Sequence, residues 1–577
     1  MTPGPFISGR PTWHQVLIGL CILLLIIIIP IALSSPPQGT AETGRGIPVK
    51  ILAVNDFHGQ LPPGQNLDKE PTGGAPVLAS YLRAAMSGDT PAATFITLPG
   101  DVVGASPPES GLLLDEPALL FFNGFASGCC GRPVATCSES CNLIATFGNH
   151  EFDRGVGELV RKLNGGNGMT AITHLVDPYP GTKAGYVCSN VVWKANNTPM
   201  VAPYVIRDAG GARIAFIGAD TTKTPSLVQP GIVAEVSFLD ETGSINRYIP
   251  EIQKQGVHAI VVLLHEGGTQ DAYEGPTRDN TTVSGSVAGI VAGLDPDVDV
   301  VLSGHTHAFT NAYLKNSGGR AVLVTQAYSY SRAFADVDLI IDPVTGDITG
   351  KTARIVPAYA DKTPGTTPDP VTATFLAQDE TIVSPMTERV IAVAATDISG
   401  RETGAGESPL GDLVADAQRS AMKADIAFLT TGSLRADIAG GNVTWGDIYT
   451  VQPFSSTIIS MTLTGDQVKR VLERQWEAPL PPHTLAVSGI SYTFDTAMPA
   501  GSRISEIHVN GFPLDSGKRY SAAMADYLAS GGDGYTVLVN GTNVTNGPGD
   551  VDALVTYMGS LPQPVTLTAG KRIIRAG

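Results

Sequence analysis

Positive charge is in short supply. The chain of 577 residues has 37 Lys and Arg against 54 Asp and Glu, a net charge of -17. A protein that coats a nucleic-acid polymer attracts phosphates with clustered basic residues, so this balance excludes that class of partner. An anionic ligand would need local help, from a metal or a few placed arginines. Charged residues of all kinds make up only 16%, against 43% hydrophobic, which excludes a disordered chain. An internal repeat is lacking, and so is an apolar C-terminal tail: TLTAGKRIIRAG offers nothing for a lipid-anchor signal. A single hydrophobic core does not serve a chain of this length, so two domains plus accessory segments are expected.

Long apolar runs are confined to one place. Residues Val16 to Leu33, within WHQVLIGLCILLLIIIIPIALSS, form an uncharged stretch preceded by Arg10. Its length lies between a signal-peptide core and a short membrane-spanning helix. Ala32 and Ser34 offer a small-residue cleavage site, so residues 1–35 are either a cleaved signal or an uncleaved anchor that ties the protein to a membrane. Both readings export the rest, an extracytoplasmic location. Residues 36–48 continue as a polar, Pro/Gly-rich tether. Of six cysteines, four crowd into GCCGRPVATCSESC as Cys129, Cys130, Cys137 and Cys141. In an exported protein that density predicts two local disulfides, the adjacent pair not bonding to itself, with a structural zinc as the alternative. Cys188 has no evident partner and reads as a buried small hydrophobe.

From Val49 onward a grammar recurs, a short apolar run followed by a polar cluster: VKILAVNDFHG, ATFITLPGDVVG, NLIATFGNHEFD, RIAFIGADTT, HAIVVLLHEGG and DVVLSGHTHAF. Runs with so little alternation predict strands covered on both faces, and stretches such as DRGVGELVRKL between them have helical periodicity. This is an α/β domain over residues 49–357, and in open α/β sheets the ligand site lies beyond the carboxyl ends of the strands, where every cluster falls. A Pro/Thr-rich stretch and a helical segment, VTATFLAQDETIVSPM, make residues 358–387 the link. Residues 388–577 mix helical and strand-like stretches and predict a second α/β domain.

The strand-end clusters supply Asp56, His58, Asp101, Asn149, His150, His265, His305 and His307. Singly, each has an ordinary explanation as a turn cap or structural residue. Together they do not, since five of ten histidines fall at strand ends of one domain. Two divalent ions about 3.5–4 Å apart need a shared carboxylate plus N and O ligands from separate segments, which is this inventory. Ligation by imidazole and carboxylate without thiolate suits Zn, Mn or Fe.

The series NDFHG, PGD, FGNHEFD, LLHEGG and SGHTH resembles the calcineurin-like metallophosphoesterases, and with the second domain the 5′-nucleotidase family over nearly the whole exported chain. The resemblance implies a four-layer sandwich, two β-sheets flanked by helices, plus a second α/β substrate-binding domain. It implies two divalent metal ions, one held by Asp56, His58, Asp101 and His307, the other by Asp101, Asn149, His265 and His305, with Asp101 the bridge. It assigns His150 to transition-state stabilisation with Asp153 orienting it, and direct attack on phosphorus with no covalent enzyme intermediate.

In the second domain GESPLGDLVADAQR, TTGSLRADI, VQPFSSTI and DYLASGGDGY resemble the nucleotide-binding blocks of that family. By that alignment Arg435 binds phosphate, Phe454 and Tyr527 sandwich a base, and Asp533 accepts from ribose hydroxyls; the alternative for the two aromatics is a place in the core. The glycines after Tyr527 suggest a turn that lets backbone approach a ligand. Arg401 is either a second phosphate arginine or a solvated loop charge. Two positions depart from the family pattern: Thr430 and Pro409 stand where asparagines are usual. The expected activity is removal of phosphate from 5′-nucleotides, with nucleoside diphosphates or UDP-sugars as further substrates. The alternatives are a 2′,3′-cyclic nucleotide phosphodiesterase with 3′-nucleotidase activity and a catalytically inactive binding or adhesive protein.

Overall fold

The computed structural model describes residues 46–576 apart from 89–90, 130–138, 169–174, 230, 280–281, 402, 478–483 and 569. The apolar N-terminal segment and most of its tether lie outside the described residues, as do Cys130 and Cys137. No helix among the described residues is long and apolar enough to cross a membrane.

Six quoted apolar runs become strands, and they divide between two six-stranded sheets. In the first, the order is Ile348–Pro357, Ala333–Ile341, Ile47–Ala53, Ala93–Pro99, Leu143–Thr146, Gly185–Tyr186. Its last four strands are parallel, and Ala333–Ile341 runs antiparallel to Ile47–Ala53. In the second, the order is Phe309–Lys315, Ala321–Ala327, Val300–Ser303, Ala259–Leu264, Arg213–Ala219, Tyr204–Asp208, with the middle four parallel and the edges antiparallel.

The missing alternation has a direct cause. All six residues of Ala259–Leu264 are buried, because the side chains of one pleat face meet the other sheet and those of the opposite face meet helices. Val261 and Leu263 join Val49, Ile51, Phe95 and Phe216 in the layer between the sheets. Ile260, Val262 and Leu264 pack outward with Ile245, Ile249, Ile252 and Val287, which lie on helices Glu241–Lys254 and Ser286–Gly293. On the far side Leu52, Ile96 and Leu98 of the first sheet meet Leu78 and Leu82 of helix Ala75–Gly88. The result is helix, sheet, sheet, helix, the expected four layers.

The linking segment is a helix, Pro370–Thr387, which starts at Pro370 with the Asp369 side chain accepting from Thr372 N at 2.9 Å. Beyond it a five-stranded sheet runs in the order Leu485–Ser488, Ile426–Thr430, Arg519–Ala525, Thr457–Thr464, Thr542–Gly549. Pro409 is the first residue of helix Pro409–Met422, capped by Ser408, a position where a proline loses nothing.

One disulfide joins Cys129 to Cys141, which excludes a four-thiolate zinc site among these cysteines; a second bridge would involve Cys130 and Cys137, which are not described. Cys188 is free and buried, and burial pushes its thiol up to about 12, so it is inert packing.

Phe216 is fully buried between the sheets, edge-on to Phe95 at 5.1 Å. Phe216→Ala is expected to cost about 3–5 kcal/mol, read as a lower urea midpoint with unchanged slope.

Candidate metal centre and substrate cavity

The parallel strands of both sheets release their polar clusters at the same end. Asp56 and His58 follow Ile47–Ala53, Asp101 follows Ala93–Pro99, Asn149 and His150 follow Leu143–Thr146, His265 follows Ala259–Leu264, and His305 and His307 follow Val300–Ser303. The structure brings them together in two groups, Asp56, His58, Asp101 and His307 in one and Asp101, His265 and His305 in the other, with ligand atoms within 4.8 Å of one another. Asp101 belongs to both. Its Oδ2 lies 3.6 Å from His58 Nε2 and 3.1 Å from His265 Nε2.

The backbone is bent to achieve this. Asp56, His58, Asp101, His305 and His307 all have left-handed φ, between 48° and 76°. Such conformations cost on the order of 1–3 kcal/mol each and persist where the surroundings over-determine them. Those surroundings are visible: Glu151 accepts from Gly148 N (2.6 Å), Asp101 N (2.9 Å) and Val102 N (2.9 Å), tying the PGD loop to the GNHEFD turn. Asn55 Nδ2 donates to Asp56 Oδ2 at 2.7 Å, and His305 N donates to Asp56 Oδ1 at 2.9 Å. Glu151 and Asn55 carry no role in the sequence reading, although both lie inside motifs it singled out.

His150 occupies a different position. Its Nδ1 is 2.8 Å from Asp153 Oδ2, and its backbone N–H donates to Asp101 Oδ1 at 2.9 Å. Burial disfavours the imidazolium, but the carboxylates of Asp153 and Asp101 outweigh it and raise the pKa above its ordinary value. Gly104 makes the approach possible: at φ 83° a Cβ there would lie 2.7 Å from Asp153 Oδ2.

These groups open into a cavity of about 470 Å³ lined by Asp101, Asn149, His150, Asp153, His305 and His307, and, from the C-terminal part, by Arg435, Phe454, Tyr527 and Asp533. Phe454 stacks on His150 with centroids 5.9 Å apart and 26° between planes. Arg435 Nη2 donates to Tyr330 Oη at 2.8 Å. Tyr527 Oη lies 2.7 Å from Asp533 Oδ1 and 2.9 Å from the Ser226 carbonyl, joining the two parts of the chain.

Two expectations need correction. Arg401 sits in an exposed loop with its backbone N–H on Ser399 Oγ (3.0 Å) and does not line the cavity, so its placement is that of a solvated charge. The glycine turn after Tyr527 does bring backbone close, but to Tyr527 itself: a Cβ on Gly532 would lie 2.5 Å from the ring. One ring face is therefore already covered.

The family models agree with this architecture. Residues 49–309 match the calcineurin-like phosphoesterase model, and residues 389–540 match the 5′-nucleotidase C-terminal domain. Cell wall protein Lmo0130 of Listeria monocytogenes is 32% identical over 584 residues, covering 93% of this chain and 70% of the relative. The chain belongs to the calcineurin-like phosphoesterases that carry a 5′-nucleotidase C-terminal domain. Endonuclease YhcR of Bacillus subtilis is 30% identical over 536 residues; the match covers 91% of this chain but only 41% of YhcR. A 5′-nucleotidase precursor from Thermus thermophilus superposes with a TM-score of 0.72 at 25% identity, covering 92% of this chain and 99% of that one.

A calcineurin-like phosphoesterase implies metal, and the residues present fit it. Asn149 Oδ1 is buried without a hydrogen-bond partner, and such atoms are rare unless a ligand takes them, while His265 Nε2 faces the Asp101 carboxylate 3.1 Å away. His58 Nδ1 faces the Gly104 carbonyl at 2.8 Å, which leaves its Nε2 lone pair pointing at His307 Nε2, 3.0 Å away. Two imidazole nitrogens that close need a cation or a proton between them. Burial holds His58 and His307 well below the ordinary histidine range and His305 at about 4, the neutral form that ligates. Burial also pushes Asp56 up to about 7, a penalty that a cation removes. His265 is the exception: burial opposes its charge, but Asp101 raises it well above the ordinary value, so a proton stands where a cation would compensate the carboxylate.

Because Asp101 belongs to both groups, Asp101→Ala is expected to lose more bound metal than a variant of a residue in one group alone, such as His265→Ala. Elemental analysis of the purified variants checks this.

Proposed function

We propose that this chain is an exported metal-dependent phosphohydrolase that removes phosphate from 5′-nucleotides. The observation that carries the reading is the single cavity in which the Asp101-centred ligand groups and His150 face Arg435, Phe454 and Tyr527.

Divalent cations of the Zn, Mn or Fe kind, held by Asp56, His58, Asp101, Asn149, His265, His305 and His307, would supply Lewis-acid polarisation of the phosphate and a water of lowered pKa. The side chains do the rest. His150, whose charged form the Asp153 carboxylate favours, directs its remaining N–H toward charge developing on the phosphoryl oxygens. Arg435 brings a fixed fork of donors to the same oxygens. Phe454 offers its ring to the base, and Tyr527 closes the other side with the face not covered by Gly532. Asp533, at φ 51° beside Tyr527, supplies the acceptor for ribose hydroxyls.

A cavity of about 470 Å³ on a chain of net charge -17 suits a mononucleotide rather than a strand. YhcR is named an endonuclease, but this chain spans 41% of it, and that activity is not carried over. Export is supported by the apolar N-terminal run, the Cys129–Cys141 bridge and the cell-wall description of Lmo0130.

The test is phosphate release by the Mn²⁺- or Zn²⁺-loaded protein from a panel of 5′-monophosphates, diphosphates, UDP-sugars and 2′,3′-cyclic nucleotides. Preference for the cyclic compounds, or binding without release, overturns the reading. His150→Ala should lower kcat by about 10²–10³-fold with little change in KM. Phe454→Ala should mainly raise KM, by roughly 1–3 kcal/mol of lost stacking.

A further inference from the structure

Arg435 reaches the metal-ligand cluster from the C-terminal part of the chain, and what it meets there is Tyr330. This residue lies in QAYSYSR, after strand Ala321–Ala327, and outside every motif of the sequence reading. Its backbone N–H donates to the Asp56 carbonyl at 2.8 Å, and its ring stands 5.0 Å from His307 and 5.4 Å from His58. Three non-glycine residues here have left-handed φ, Tyr328 (55°), Tyr330 (58°) and Ser331 (58°), a strained turn of the kind kept where it serves a site.

We propose that Tyr330 docks Arg435 over the metal-ligand cluster and offers its own hydroxyl proton to a phosphate group held there. The inference rests on the reading of Arg435 as the phosphate-binding group. A phenol has one proton and two acceptor lone pairs, and Arg435 Nη2 takes a lone pair at 2.8 Å. The phenolic proton makes no hydrogen bond among the described residues, and Arg435 Nε is buried without a partner. Tying down Nη2 fixes the guanidinium plane, so that its Nε–H and the Tyr330 O–H are both left for an anion. The ligand that satisfies two such donors beside a metal cluster is a tetrahedral oxyanion of the phosphate class.

The test measures inorganic phosphate binding by calorimetry to the full chain, loaded with Mn²⁺ and freed of excess ion. Tyr330→Phe keeps the ring and removes the hydroxyl. It is expected to weaken phosphate binding by about tenfold, the size of a hydrogen bond to a charged group, with metal content and melting temperature unchanged. Arg435→Ala should weaken it at least as much, and the double variant should lose more than Arg435→Ala alone but less than the product of the two single effects, because the hydroxyl both holds the arginine and donates to the phosphate. Unchanged affinity in Tyr330→Phe, effects that multiply in the double variant, or loss of metal from Tyr330→Phe would overturn the proposal. Coupled phosphate binding in a parent protein that releases no phosphate from nucleotides leaves Tyr330 its role and removes the nucleotidase reading. A parent without phosphate affinity removes the Tyr330 proposal.

Discussion

The structure depends on how it keeps one carboxylate charged in a fully buried place. Burial opposes the charge on Asp101, but His265 and His150 hold its carboxyl well below the usual range. Its Oδ2 faces two imidazoles from different sheets, its Oδ1 takes the His150 N–H, and its own N–H is held by Glu151. Remove that charge and the two ligand groups have no common member and His150 loses an anchor, while the Glu151 tie to the PGD backbone remains. The left-handed backbone around it, in three of the five converging loops, is a conformational cost of bringing them to one point.

Both sheets serve this convergence. Parallel strands put the same end of every run on the same side, so residues from Asp56 to His307 meet without any long side chain having to reach. The interleaved layer of Val49, Ile51, Phe95, Phe216, Val261 and Leu263 fixes one sheet against the other. Ligands from Ile47–Ala53 and Val300–Ser303 belong to different sheets, so the precision of the site is inherited from that packed layer.

The convergence of the Asp and His clusters was legible because continuous apolar runs ending in Asp, Asn and His are an uncommon pattern, and the runs themselves signalled strands covered on both faces. Most strands missing from that pattern are antiparallel, the parallel exceptions being Ala321–Ala327 and Gly185–Tyr186. Ala333–Ile341 alternates between buried and partly exposed positions along its second half and ends in no polar cluster, so neither signal marks it. Glu151 was hidden inside a motif already accounted for, since nothing in its spacing tells that it accepts three backbone N–H groups. Tyr330 was illegible for another reason: its importance comes from Arg435, more than a hundred residues away in sequence, and from a turn whose backbone sign no side-chain pattern announces. Arg401 shows the converse, an arginine near the right block whose loop faces solvent.

Strand Ile47–Ala53 is flanked on one edge by Ala93–Pro99, a near neighbour in sequence, and on the other by Ala333–Ile341, nearly three hundred residues downstream. A nascent chain can zip the first pairing early. The second edge then waits, its N–H and C=O groups unpaired, until most of the polypeptide has been synthesised. Beside the loops that form the candidate site, the half-made domain therefore exposes an unpaired border, and the late arrival of Ala333–Ile341 is the event that seals it.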